Sequence, residues 1–407
     1  MSYTALSLPN GLRMIYHPTS SPVSYCGFAV NVGTRDEHPD QLGLAHFTEH
    51  LLFKGTVKRK SWHILNRMEK VGGELNAYTT KEETFLYTVC LSEDVDRAME
   101  LLSDLIYNSQ FPEAEIEKER EVIIDEINSY KDNPSEWIYD EFEDILFSEN
   151  ELGHNILGTP ECLFKMNSSL FHAFQRTYYH PENMVFFFYG KTPFNKIKRL
   201  SDNYFLRKKI QPRTPTIRKE PSRRKAQQIE KKKGLFQSHV IIGGRGYNNT
   251  SKNRLGLYLL NNILGGPGMN SRLNVSLREK EGLVYTVESG LTTYTDCGLF
   301  SIYFGCDHES KSRCIHLVRK ELKRLRDQKL TTSQFASAIK QLKGQLGISA
   351  DQSENLALGM GKSFLHFNRY DNLPEVYKKI DSLSSDQLLE IANEIFDEEN
   401  LFQLNYD

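Results

Sequence analysis

The stretch that decides the interpretation of this chain is GLAHFTEHLLFKGT, residues 43–56. It contains an H-x-x-E-H string formed by His46, Glu49 and His50. At 3.6 residues per turn these side chains lie on one face of a helix. The surrounding apolar residues give that helix a buried side, and the helix is expected to end near Gly55. Such a face suits Zn²⁺, and the string is the inverted form of the H-E-x-x-H protease helix. A surface helix with two ordinary histidines is the alternative.

A catalytic zinc site needs three protein ligands and one open position, so another ligand must come from elsewhere. A carboxylate-rich segment, residues 112–127, has the apolar period of a helix that faces the core. Glu119 and Glu126 are two turns apart and share a face beside its apolar stripe. A carboxylate in that position is costly unless it is paired or bound to a metal. The other acidic residues are expected to be solvated: Glu113, Glu115, Glu117 and Glu121.

At these residues the chain resembles the pitrilysin-type zinc peptidases, the superfamily of insulin-degrading enzyme and the mitochondrial processing peptidase. In size it is closest to bacterial processing-peptidase-like subunits. The family carries a glutamate ligand at about the distance that separates Glu126 from the string. The resemblance therefore implies one zinc ion per chain, bound by His46, His50 and Glu126. It also implies that Glu49 is the general base and that Glu119 is an accessory catalytic carboxylate that supports the site.

The implied activity is that of a zinc metalloendopeptidase, an inverzincin that hydrolyses internal bonds of small or unfolded peptides. The alternative is a catalytically inactive or structural partner subunit of a processing-peptidase-like complex. The family builds a closed chamber from four half-domains and this chain has two. A homodimer, or a heterodimer with a homologous subunit, is therefore expected, with peptides as substrates.

Residues 83–89 alternate between polar and apolar side chains and are rich in residues that favour β-structure, which predicts a strand. The preceding stretch GGELNAYTT, residues 72–80, resembles the G-x-x-N-A-x-T stretch of the same family. There an edge strand near the zinc receives the substrate backbone as an added strand. The resemblance thus assigns substrate contacts to Asn76 and Ala77. The alternative for Asn76 is a turn or strand-end residue that bonds to its own backbone.

The second half looks like a degenerate copy of the first. When RLGLYLLNNIL, residues 254–264, is aligned with the first helix on Leu-Gly-Leu, the string is lost. The residues opposite His46, Glu49 and His50 are Leu259, Asn262 and Ile263. Residues 330–345 align with the acidic helix and place Ala338 and Gln345 opposite its two carboxylates. With the resemblance, this duplication predicts an α+β fold of two related half-domains, each a mostly antiparallel sheet flanked by helices.

The second half has its own candidate residues after a glycine-rich loop at residues 264–273. The family has an arginine and a tyrosine at the spacing of Arg278 and Tyr285, and the resemblance gives both a catalytic and substrate-binding role at the scissile carbonyl. A phenol can donate to an oxygen that gains negative charge. The alternative is a helix-surface arginine and a core tyrosine. The loop lacks the Gly-Lys-Ser/Thr ending of a phosphate-binding loop.

The 407 residues suggest two domains. The expected boundaries are a catalytic half-domain at 1–206, an exposed basic linker at 207–233 and a metal-free half-domain at 234–407. The net charge of −2 predicts no binding to nucleic acid. No run has membrane-spanning length, no signal or transit sequence is seen, and the six cysteines lack C-x-x-C spacing. A cytoplasmic protein with reduced thiols is expected.

Overall fold

The computed structural model describes residues 3–206 and 217–407. These residues form eleven strands: β1 (Thr4–Ser7), β2 (Arg13–Pro18), β3 (Val23–Val30), β4 (Glu74–Thr79), β5 (Thr84–Leu91), β6 (Met184–Gly190), β7 (Gln228–Lys231), β8 (Ser238–Gly246), β9 (Val284–Thr293), β10 (Gly298–Cys306) and β11 (Phe402–Tyr406). They also form fourteen α-helices: α1 (Leu44–Leu52), α2 (Ser61–Glu69), α3 (Val95–Asn108), α4 (Glu113–Lys131), α5 (Pro134–Leu146), α6 (Pro160–Leu163), α7 (Ser168–Tyr178), α8 (Phe194–Phe205), α9 (Arg254–Gly265), α10 (Lys311–Asp327), α11 (Thr332–Ser349), α12 (Ser353–Phe367), α13 (Leu373–Asp381) and α14 (Ser385–Ile395).

The chain divides into two compact units, each built on one sheet. Unit 1 comprises Met1–Asn128, His154–Arg218 and Ala350–Tyr370, and unit 2 comprises Ser129–Gly153, Lys219–Ser349 and Asp371–Asp407. The sheet of unit 1 has the order β1-β2-β6-β3-β5-β4, and the sheet of unit 2 has the order β7-β11-β8-β10-β9. Each has a single parallel pair, β2 with β6 and β7 with β11, and is otherwise antiparallel. The α+β class is confirmed.

The two sheets repeat one topology. From β2 onward, the strands of unit 1 follow the same spatial order as those of unit 2, and only β1 has no counterpart. The correspondence pairs β4 with β9, the strand at one edge of each sheet. It agrees with the duplication inferred from the aligned Leu-Gly-Leu segments, and it confirms the predicted edge strand at residues 72–80.

The sheet of unit 1 is covered on both faces, which explains the continuous apolar run in β6. Phe186 and Phe188 belong to one buried cluster, whereas Phe187 between them belongs to another. Successive side chains of a strand point to opposite faces, so both faces of β6 must exclude water. The first cluster includes the apolar residues of α1, α3 and α4, and the second includes Met360 and Phe364 of α12.

Two helices pack in a unit other than the one that their position in the chain suggests. Helix α12 follows most of unit 2 in the sequence but covers β3 and β6 of unit 1. Helix α5 follows α4 but buries Ile138 and Phe142 against Ile241 and Leu404 of unit 2. The compact units therefore differ from the contiguous halves expected at 1–206 and 234–407. An apolar helix face can be read from sequence, but the sheet that covers it cannot.

The predicted linker is partly structured where it is described. Its residues 228–231 form β7, which pairs in parallel with β11. Arg218 is largely buried and forms a two-point ion pair with Asp36 in unit 1. Residues 207–216 of the predicted linker lie outside the described part of the chain.

The six cysteines are all buried, and none of them forms a disulfide. Among the described residues, no helix combines the length and the apolarity that crossing a bilayer requires.

Candidate metal centre

The H-x-x-E-H string lies on α1, as predicted. Leu44, Phe47 and Leu51 are buried in the core of unit 1, and the Phe47 ring packs 4.9 Å from the ring of Phe171 on α7. These contacts fix the rotation of α1 about its axis. The helix ends at Leu52, shortly before Gly55, and the Phe53 N–H bonds to the carbonyl of His50 in a tightened last turn.

The predicted ligands meet beside α1. His46 Nε2 and His50 Nε2 each lie 3.9 Å from Glu126 Oε2 on α4. The three ligand atoms all lie within 4.8 Å of one another. Among residues 3–206 and 217–407, no other group of three or more histidines, cysteines or carboxylates is close enough to hold a metal ion. The sequence-based assignment of these three residues to one place is therefore matched by their geometry.

The donor set fits zinc. Bonds of about 2.0–2.2 Å in a tetrahedral arrangement put ligand atoms about 3.4 Å apart. The two histidine–glutamate separations exceed this by about 0.5 Å, which small side-chain rotations can close. Two imidazoles and one carboxylate are the ligands of a catalytic zinc site with an open fourth position.

His46 is in the protonation state that a metal requires. Burial, with a smaller contribution from the nearby His50, lowers the pKa of His46 to about 3. His46 is therefore neutral at physiological pH and can offer a lone pair from Nε2. Its Nδ1 is buried and has no hydrogen-bond partner among the described residues.

His50, by contrast, is oriented by a second carboxylate. Its Nδ1 lies 3.2 Å from Glu119 Oε2, and Glu119 is buried. A proton held at Nδ1 by this bond leaves the Nε2 lone pair facing Glu126. Lys54 Nζ, one turn after His50, lies 2.5 Å from the other Glu119 oxygen and compensates its charge. The structure places Glu119 beside His50, and its supporting role stays a prediction.

Glu49 is buried and is held by the edge strand. Its Oε2 accepts a hydrogen bond of 2.7 Å from Thr79 Oγ1 at the end of β4. Burial raises the pKa of Glu49, while the bond from Thr79 and the charge of His50 oppose that shift and Glu126 adds to it. A carboxylate with a raised pKa is better matched to proton transfer near neutral pH.

Thr79 and Lys54 were missed by the sequence reasoning. Lys54 stands four residues after His50 and so on the same side of the helix axis, a spacing that could have indicated it. Thr79 is the last residue of the quoted N-A-x-T stretch, but nothing in its pattern indicates that it donates to Glu49.

Asn76 and Ala77 lie within β4, which packs beside α1. Both are half-buried, and Asn76 Nδ2 donates to Glu74 Oε2 at 3.3 Å. The turn or strand-end alternative for Asn76 does not hold, because the residue sits inside a regular strand opposite Tyr87. No strand in the described residues pairs with the outer edge of β4.

The remaining two predicted residues belong to unit 2. Tyr285 is the second residue of β9 and is 85% exposed, so the core-tyrosine alternative is wrong. Arg278 lies in a π-helical segment, and its guanidinium carbon lies 5.5 Å from the centre of the Tyr285 ring. Both line an open cleft of about 410 Å³ together with the glycine-rich loop. Leu259 and Ala338, the counterparts of His46 and Glu119, are buried apolar residues.

Comparison with known proteins places this arrangement in a family. Residues 13–160 match the family described as insulinase (peptidase family M16), and residues 165–342 match the peptidase M16 inactive domain. An uncharacterised zinc protease of Streptomyces coelicolor is 32% identical over 396 residues, which cover 96% of this chain and 86% of that protein. The chain belongs to the peptidase M16 family. The resemblance to pitrilysin-type peptidases is thereby confirmed.

Other M16 relatives agree. An uncharacterised zinc protease of Bacillus subtilis is 29% identical over 392 residues, covering 96% of this chain and 95% of its own length. The crystal structure of a protease from Helicobacter pylori matches 100% of this chain and 99% of its own with a TM-score of 0.92, at 20% identity. A structure from Pseudomonas fluorescens titled as a peptidase M16 inactive domain has a TM-score of 0.93 at 18% identity, covering 100% and 98% of the two chains. These structures share the M16 fold.

Proposed function

We propose that this M16 protein is a zinc metalloendopeptidase that hydrolyses internal bonds of small or unfolded peptides. The observation that carries the proposal is the convergence of His46, His50 and Glu126 to within 4.8 Å, with the buried carboxylate of Glu49 on the same helix face. The names of the relatives as zinc proteases support it. An inactive partner subunit has no need of a complete ligand set together with a positioned base.

When bound, zinc supplies a Lewis acid that lowers the pKa of a water molecule to about 7. Glu49 accepts a proton from the attacking water at its carboxylate and then returns it to the leaving amine. Thr79 holds one Glu49 oxygen and fixes the direction of the other. Glu119 holds the proton at His50 Nδ1, and Lys54 pairs with the other Glu119 oxygen.

Substrate binding is assigned to β4. An edge strand presents unpaired backbone N–H and C=O groups that an extended peptide can pair with. Because Thr79 at the end of β4 bonds to Glu49, a peptide added along this strand passes the base. Asn76 and Ala77 are the proposed contacts on β4, and Arg278 and Tyr285 remain proposed substrate contacts from unit 2.

The experiment that tests the proposal is the substitution Glu49→Gln, which keeps the size of the side chain and removes the base. Removing a general base costs about 10²–10⁴-fold in turnover. We expect cleavage of a mixed peptide library, followed by mass spectrometry, to fall by that factor while zinc content is unchanged. Glu121→Gln, an exposed change on α4, is the control. A Glu49→Gln protein that cleaves peptides as fast as wild type would overturn the role of Glu49, and a zinc-loaded wild type that cleaves none would favour the inactive subunit.

The assembly is proposed from the family alone. A homodimer, or a heterodimer with a homologous subunit, is expected to be the active form. Light scattering of the purified chain tests the homodimer, and a monomeric mass at full activity would contradict it.

A further inference from the structure

Glu37, outside the string and the acidic helix, binds the beginning of the zinc-bearing helix. Its side chain is buried, with 5% of the residue exposed. Oε2 accepts a hydrogen bond of 2.8 Å from the Gly43 N–H, and Oε1 accepts one of 2.7 Å from the Ala45 N–H. Ala45 immediately precedes the ligand His46. Two N–H groups at the start of α1 are thus satisfied by a carboxylate six residues upstream.

The helix needs this external hydrogen-bond acceptor because its N-cap residue is a glycine. Gly43, the N-cap of α1, has a φ of 91° in the left-handed region, where glycine is favoured. A Cβ there would lie 2.7 Å from the Leu157 carbonyl oxygen. The usual capping residues, serine, threonine, aspartate and asparagine, are therefore excluded from this position. Glu37 supplies from a distance the acceptor that the N-cap residue cannot carry.

The loop that carries Glu37 is itself fixed. The Thr34 and Arg35 N–H groups donate to the carbonyls of Thr80 and Lys81, at 3.2 and 2.8 Å. Arg218 adds a two-point ion pair to Asp36, at 3.0 and 2.8 Å. The three residues before Glu37 are thus held to the β4–β5 turn and to Arg218, which fixes the position from which the Glu37 side chain reaches α1.

We propose that Glu37 is a positioning residue that sets the location of His46 relative to Glu126. The inference rests on the proposed function, since it concerns the same zinc site. The ligands come from two helices, and zinc tolerates ligand distances only within about 0.2 Å of ideal values. A first turn of α1 that frays or shifts moves His46 while leaving α4 in place. Glu37 thereby acts on the metal through the helix backbone, without touching the metal or substrate.

The test compares Glu37→Gln with Ser384→Ala. Glu37→Gln puts an amide N–H₂ against one of the two backbone donors. The control removes the side-chain cap of α14 in unit 2, where Ser384 accepts from the Gln387 N–H at 3.1 Å. Zinc affinity is measured by competition with a chelator, and hydrogen–deuterium exchange of the peptide spanning residues 43–52 is measured on the metal-free proteins. We expect Glu37→Gln to weaken zinc binding about 10-fold and to speed exchange in the first turn of α1, with neither effect in the control.

Zinc affinity within twofold of wild type, together with unchanged exchange in α1, would overturn the inference. If Glu37→Gln does not fold, Glu37→Asp keeps the carboxyl group but is too short to reach both N–H groups. It is expected to weaken zinc binding and speed exchange in the same direction. The outcome is separable from the fate of the proposed function, because affinity and exchange decide the role of Glu37 even if the zinc-loaded wild type cleaves no peptide.

Discussion

The substitution Glu119→Gln gives a sharp test of how the zinc site is supported. Glu119 touches His50 Nδ1 at 3.2 Å and Lys54 Nζ at 2.5 Å. Glutamine keeps the volume and one acceptor oxygen but removes the charge that favours a proton on Nδ1. Loss of such an outer partner typically costs 10- to 100-fold in metal affinity, which corresponds to about 1.4–2.8 kcal/mol. The Lys54 pair is partly exposed and adds little to this.

The assay is zinc competition against a chelator at fixed pH and ionic strength. Glu121→Gln is the matched control, because Glu121 is exposed two residues away on the same helix. We expect a 10- to 100-fold weaker Kd for Glu119→Gln and an unchanged Kd for the control. Equal affinities in wild type and both variants would refute the view that Glu119 orients His50. Thermal unfolding of the metal-free proteins shows whether either variant is misfolded.

Three further outcomes are expected. Burial alone would raise the pKa of Glu83, but His366 and Lys362 lower it to about 2. Because this pKa is below the ordinary value of 4.5, ionised Glu83 stabilises the folded protein above about pH 4.5. That contribution to the free energy of unfolding is lost as the pH falls toward 2. In urea unfolding, the loss of stability over that window should be larger in wild type than in Glu83→Gln by up to about 3 kcal/mol, and equal losses would contradict this. Thr79→Val should lower kcat about 10- to 100-fold at unchanged zinc content, because a bond to a charged group is worth about 1.5–3 kcal/mol; unchanged peptide-cleavage kinetics would dismiss that bond. Gly361→Ala should destabilise the protein by about 1–3 kcal/mol, since its Cβ would lie 2.8 Å from the Phe187 ring, whereas Gly359→Ala on the same helix meets nothing within 4 Å and should not.

The local features of the site were predictable because each has a short-range signal. The spacing of His46, Glu49 and His50 fixes one helix face, and the seven-residue spacing of Glu119 and Glu126 fixes another. The apolar periods of α1 and α4 show which side of each helix is buried. The family resemblance supplied what spacing could not, namely that these two faces meet.

The remaining features depend on contacts that sequence patterns do not encode. Helix α12 and helix α5 have ordinary apolar faces, and nothing in their periods tells which sheet they cover. The cap from Glu37 depends on Gly43, which has a left-handed backbone conformation. The Leu157 carbonyl leaves no room for a Cβ at this position. The predicted linker concealed β7, because a four-residue strand rich in charge carries a weak signal.

The measurement that tests the central claim most directly is the zinc content of the purified chain after dialysis against a weak chelator. The account predicts one zinc per chain in wild type and in Glu49→Gln, and almost none in His50→Ala or Glu126→Gln. Two zinc ions per chain, no zinc in wild type, or zinc retained in both ligand variants would contradict it.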